Sequence, residues 1–98
     1  MVRRSRLEIY FDVLKTIDNG THKPTRIMYE TNLSWTCACS VFDALNNIDY
    51  IREEKTKTSK RDYITEKGRN ALSYHLKSLE GLSLIKINEL EEKPENGY

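Results

Sequence analysis

No stretch of the 98-residue sequence approaches the roughly 20 consecutive apolar residues that a membrane span needs. The N-terminal run MVRRSRLEIYF meets charge where a secretory signal would carry its apolar core, so a cytoplasmic protein without a membrane partner is expected. Cysteine is almost absent. Cys37 and Cys39 are too few for a disulfide framework, and only His22 and His75 are available to join them at a metal. On a helix the two thiols lie about 200° apart and face different sides, so neither a metal nor a redox pair is expected. Cys37 reads instead as a packing residue and Cys39 as an outward-facing bystander.

Glycine is scarce as well, and none of the four forms a phosphate-cradling loop. No Ser/His/Asp or Cys/His order and no metal-spaced cluster occurs, so no enzyme, cofactor or small-molecule ligand is expected. His75, on a leucine-bearing helix, reads as a surface or interface residue. Internal repeats, low-complexity segments and linkers are also missing, which leaves one structural domain. A chain this short buries only about 60–65% of its unfolded surface, so support from a partner chain would be unsurprising.

The net charge of +1 argues for no particular partner, but its distribution is uneven. Residues 1–77 carry 14 Lys/Arg against 10 Asp/Glu, a net of +4, while residues 78–98 carry 2 against 5, a net of −3. An acidic tail therefore masks a basic body.

Periodicity supplies the elements. Ile9, Tyr10, Val13, Leu14 and Ile17 fall at helical spacing, with Ser5 as N-cap and Asn19-Gly20 as stop, which predicts a helix over 5–18. Pro24 opens a short second helix that carries Ile27 and Met28 and ends near Asn32. Ser34 caps a third, in which Ala38, Val41, Phe42 and Leu45 form a buried stripe and Asp49 supplies the left-handed exit. YIREE and RDYIT then flank KTKTSK as a hairpin with a basic tip over 55–60. Thr65 caps a last helix that continues through Gly81 to about residue 91. The class is mainly α (α+β), in the order of a winged helix-turn-helix. Residues 1–64 are expected to form the winged helix-turn-helix head, and 65–98 a C-terminal helix and tail.

The runs RSRLEIYFDVLKTI, KPTRIMYETNLSW and DYITEKG resemble the small archaeal winged-helix DNA-binding proteins of the chromatin or regulatory type. The likeness covers about residues 4–80, and TRIMYETNLSW (25–35) and YITEKG (63–68) are its most specific parts. It implies a homodimer joined by a long last helix that pairs with its twin as an antiparallel coiled coil. It also implies a nucleoid-associated or transcriptional role on double-stranded DNA. Two departures stand out: Asp49 occupies a position where glycine is common, and residues 33–48 contain no Lys or Arg. The third helix therefore lacks the arginine-to-guanine contact that most often specifies sequence.

Base-edge donors remain at Thr36, Ser40 and Asn47, with Ser34 and Trp35 at the N-terminal end. Trp35 reads equally as a plug between helices, and Asp43 as a surface ion pair before an acceptor for cytosine. Phosphate contacts are expected from Lys55, Lys57, Lys60 and Arg61 on the wing, from Arg3, Arg4 and Arg6, and from Lys23 and Arg26. Leu72, Leu76 and Leu79 at 4-3 spacing, followed by Leu82, Ile85 and Leu90, form the expected dimer seam. In the other arrangement Leu72 and Leu76 pack against helix one of the same chain. The alternative function is a winged-helix protein-interaction module with no direct DNA contact.

Overall fold

The computed structural model of the protein describes residues 4–92, with side chains described as far as Gly81. Helix α1, Arg6–Asp18, begins in a reciprocal capping box. The Ser5 hydroxyl accepts from the Glu8 amide at 3.1 Å, and the Ser5 amide donates to the Glu8 carboxylate at 3.3 Å. It stops at Asn19-Gly20, where Gly20 takes φ 108°, a conformation open to glycine because it has no Cβ. Helix α2, Pro24–Glu30, starts on a proline whose missing N–H is not needed there. Asn32 at φ 60° turns the chain into α3, Trp35–Asn47, capped by Ser34 through the Cys37 amide at 3.2 Å. Asp49 leaves α3 at φ 63°, the left-handed exit its side chain tolerates.

Strands β1, Ile51–Lys55, and β2, Lys60–Ile64, pair antiparallel with Ile51 opposite Ile64 and Lys55 opposite Lys60. The tip is shorter than the 55–60 run, because both terminal lysines continue the ladder and the Thr56 amide donates to Ser59 O at 2.8 Å. On the other edge of β2 the Asp62 amide donates to His22 O at 2.8 Å, which ties the α1–α2 connection to the wing.

Helix α4, Glu66–Glu92, runs unbroken through Gly81 as the sequence predicts. Thr65 anchors its start: its hydroxyl donates to Asp49 O at 2.6 Å and accepts from the Gly68 amide at 3.0 Å. At 1.5 Å per residue, 27 residues make a rod of about 40 Å, and the molecule measures 65 × 30 × 21 Å.

The core gathers Val13, Leu14 and Ile17 of α1, Ile27 of α2, the Ala38/Val41/Phe42/Leu45 stripe of α3, Ile51 of β1 and Leu72 of α4. Leu72 is 3% exposed, so it belongs to the head and not to a seam with another chain. Arg69 pairs with Asp18 at 3.0 Å, and His75 stacks on Phe11 at 3.8 Å, which makes His75 a packing residue between α4 and α1. The side chains of Leu82, Ile85 and Leu90 lie outside those described.

Candidate nucleic-acid interface

The stripe that buries α3 leaves Thr36, Ser40, Asp43 and Asn47 on its exposed side, as helical periodicity dictates. Ser34 spends its acceptor on the helix cap, and Trp35 stands 49% exposed at the first turn instead of plugging the α2–α3 junction. Cys37 packs against the core as expected. Cys39 is half-buried and is not part of the exposed ridge.

The cation that α3 lacks is delivered by α1. Arg6 donates from Nη2 to Ser40 Oγ at 2.7 Å and from Nε to Tyr10 Oη at 2.8 Å, with its guanidinium 5.2 Å from the Tyr10 ring centroid. Two hydrogen bonds and a cation–π contact hold it beside the ridge with further N–H groups to donate. The sequence sets Arg6 in a basic cluster and shows Tyr10 only as a core-side position of the first helix. The i,i+4 spacing of the two on α1 is the signal that reveals the pair. Arg4 does a different job: Nη1 pairs with Asp12 at 2.8 Å and Nη2 donates to Thr31 O at 2.7 Å, which brackets α1 against the end of α2. Arg3 lies outside the described residues.

The wing divides its charges by face. Glu53, Lys55, Lys60 and Asp62 share one side of the hairpin, and Glu53 binds Lys60 at 2.9 Å and Lys55 at 3.5 Å. That hydrogen bond to Lys60 holds the Glu53 carboxyl below its ordinary range and the Lys60 ammonium above its own. Lys55 and Lys60 are thus partly committed within the wing. Lys57 at the tip and Arg61 on the opposite face make no ion pair among the described residues. Asp62, opposite Glu53, is fully buried, and neither carboxylate oxygen has a hydrogen-bond partner among the described residues.

Arg61 meets Lys23 and Arg26 in a cleft between β2, the α1–α2 connection and α2, completed by Gly20, Thr21 and His22. The sequence suggests three separate basic patches, and the convergence of two of them rests on the His22–Asp62 link, which has no local signature. On α4, Leu76 and Leu79 are 43% and 47% exposed, whereas Leu72 is withdrawn into the core. Among the described residues no helix is long and apolar enough to cross a membrane.

A family model described as winged helix-turn-helix matches residues 3–89. The uncharacterized protein MJ0287 of Methanocaldococcus jannaschii is 34% identical over 71 residues, which cover 72% of this chain and 69% of that protein. Among solved structures, Sso10a-2, a DNA-binding protein from Sulfolobus solfataricus, matches with a TM-score of 0.68 at 26% identity, over 90% of this chain and 95% of its own. The transcriptional regulator BldR from the same organism matches in fold, with a TM-score of 0.71 at 18% identity, over 90% of this chain and 68% of its own.

Proposed function

Because the chain belongs to the winged helix-turn-helix family, we propose that it binds double-stranded DNA as a homodimer, in the cytoplasm, as a transcriptional regulator or nucleoid-associated protein. The observation that carries this reading is the polar ridge of Thr36, Ser40, Asp43 and Asn47 on α3, with Arg6 of α1 bonded to Ser40 beside it and a wing that carries further cations on the same head. A helix of this size fits the major groove, while cations on neighbouring elements reach phosphates on either side. The similarity to Sso10a-2, itself a DNA-binding protein, points the same way.

Ser40→Glu tests the docking of α3. The substitution puts a carboxylate on the ridge and captures Arg6, so duplex affinity falls by about a hundredfold or more, since like charges brought together cost several kcal/mol. Circular dichroism should be unchanged because position 40 is exposed. An affinity equal to that of wild type would remove α3 from the interface.

Dimerisation rests on α4. Leu76 and Leu79 stand exposed beyond the last core residue of the helix, and the sequence continues with Leu82, Ile85 and Leu90. Burying one leucine fully contributes roughly 1.5–3 kcal/mol, so a paired seam can outweigh the cost of association. Deleting residues 81–98 should give a monomer in sedimentation and weaken DNA binding, because two linked heads bind better than one. A full-length protein that sediments as a monomer contradicts the dimer.

One observation favours a protein partner instead. The groove between α1 and α3 is lined by Leu7, Tyr10, Leu45 and Ile48 among others and has a volume of about 270 Å³, and Leu7 is 59% exposed. Salt separates the readings, because phosphate contacts weaken steeply as salt rises and an apolar contact does not.

A further inference from the structure

We infer that the wing is a proton-gated flap: a proton on the buried carboxyl of Asp62 holds β2 against the head, and its release lets the hairpin lift at its outer end while the helices stay folded. The gate stands whether or not the chain binds DNA. Asp62 is fully buried, and neither carboxylate oxygen has a hydrogen-bond partner among the described residues. A neutral carboxyl tolerates such a place far better than a charged one. Burial accordingly pushes the Asp62 carboxyl up to about 6, so that its charge appears between weakly acid and neutral pH.

The charges around it are few. Lys60, on the same face of the hairpin, favours ionisation, and Glu53, directly opposite, resists it, while the two are bonded to each other at 2.9 Å. Arg52, Glu54 and Arg61 lie on the other face. On the helices Asp12 is paired with Arg4, Asp18 with Arg69 and Glu30 with Arg26, and Arg6, Glu8, Lys15, Lys23 and Asp43 are exposed. Two further groups can titrate nearby: the half-buried thiol of Cys39 on α3, and His22 of the α1–α2 connection, which touches β2 directly.

Little holds the outer wing down. β1 and β2 form a sheet of only two strands, which is marginal unless it packs on something else. Its base is fixed, with Ile51 buried in the core and Thr65 bonded to Asp49 O and Tyr50 O. Among the described residues, the hydrogen bonds from β2 to the helical part of the head all go to His22: the Asp62 amide donates to His22 O at 2.8 Å, and His22 Nδ1 lies 2.9 Å from Asp62 O. Ionising Asp62 thus charges the residue that fastens the strand. Lifting the hairpin about its base gives the carboxylate to water at the loss of those two bonds, and a segment held this lightly opens without global unfolding. Opening displaces Lys57 and Arg61, the wing cations with no ion pair among the described residues, so the gate sets how the wing presents its charge. The closed wing keeps the proton up to about pH 6 and the open one only to about pH 4, so closure is favoured most below pH 4 and is lost as pH rises through 6.

The test is amide hydrogen exchange of the ¹⁵N-labelled full chain at pH 5, 6 and 7, corrected for the intrinsic rate. The Asp62 amide, whose acceptor belongs to the head, reports detachment even while the hairpin stays paired. It should exchange faster than the amides of Leu14, Ile17 and Val41 in the helices, and its opening constant should rise about tenfold from pH 5 to pH 7. In Asp62→Asn, which keeps the shape of the side chain, opening at position 62 should be rarer at pH 7 and flat with pH. Imidazoles also titrate in this range, so His22→Gln is the second variant, and there the tenfold rise should persist. Exchange of the Asp62 amide at the rate of the helices at every pH would overturn the gate, because the carboxyl would then reach water only by global unfolding. A pH-independent opening in the wild type, or a rise that survives in Asp62→Asn or vanishes in His22→Gln, would overturn it as well.

Discussion

Gly68→Ala should cost the head at least about 3 kcal/mol, because the added methyl has nowhere to go. A Cβ at position 68 would lie 2.2 Å from Tyr50 O, 2.9 Å from Tyr50 C and 3.1 Å from Ile64 Cγ1. Two of those atoms are backbone, so relief requires the first turn of α4 to lift from the base of the wing. Lifting it breaks the clasp in which Thr65 caps Gly68 and bonds to Asp49 and Tyr50. For a domain of this size the melting temperature should fall by about 10–20 °C. Gly81→Ala is the matched control on the same helix. A Cβ there meets nothing within 4 Å, and alanine's better helix propensity should add up to about 1 kcal/mol. A Gly68→Ala protein that melts with wild type would mean that α4 does not enter the head as described.

Asp62→Asn should stabilise the protein at neutral pH, with a gain that disappears in acid. Burial pushes the Asp62 carboxyl up to about 6, the charge of Glu53 adds to the effect, and Lys60 offsets part of it. The folded chain thus holds a proton that an unfolded carboxyl, near 3.9, has already released. Stability contributed by this group is greatest below about pH 4, declines as pH rises to about 6, and is flat above. The cost of the ionised form at pH 7 is roughly 3 kcal/mol. The amide has the same shape and no charge, so denaturation midpoints of variant and wild type should differ most at pH 7 and converge near pH 4. A gap that is constant across this range, or of opposite sign, would refute the burial of an ionised Asp62.

Where the fold is written in local chemistry, the sequence is readable. Ser5 with Glu8, Ser34 and Thr65 mark helix starts through side-chain oxygens that seek free amides. Gly20, Asn32 and Asp49 mark exits because they tolerate positive φ. The α3 stripe is legible because a single period fixes which residues are buried. What is not legible depends on distant segments. The spacing of Leu72 suits a seam as well as a core, and only the approach of α1, locked by Arg69–Asp18, decides for the core. The alternation of RDYIT does not show that Asp62 will be sealed beneath the wing. The Arg6–Ser40 contact joins positions 34 apart, and the cleft joins Lys23 to Arg61 through one backbone link. The basic residues are legible as a set, but their division into Arg4 as bracket, Lys60 as internal partner and Arg61 as cleft wall is set by the fold.

The division predicts how the protein discriminates between sequences. Among the described residues Arg6 is the sole cation bonded to the α3 ridge, and the ridge itself offers short hydroxyl and amide groups and the Asp43 carboxylate. Most of the binding energy should therefore come from phosphate contacts, which are blind to sequence.

The most direct test is the salt dependence of duplex binding, followed by fluorescence anisotropy of labelled duplexes of unrelated sequence. If Arg6, Lys23, Arg26, Lys57 and Arg61 all engage phosphates, each head contributes about −4 to −5 to the slope of log affinity against log salt, and a dimer with both heads on one duplex about −9. Slopes should agree between duplexes. A chain that binds no duplex at low salt, or binds one with an affinity insensitive to salt, would contradict the assignment of this surface to DNA.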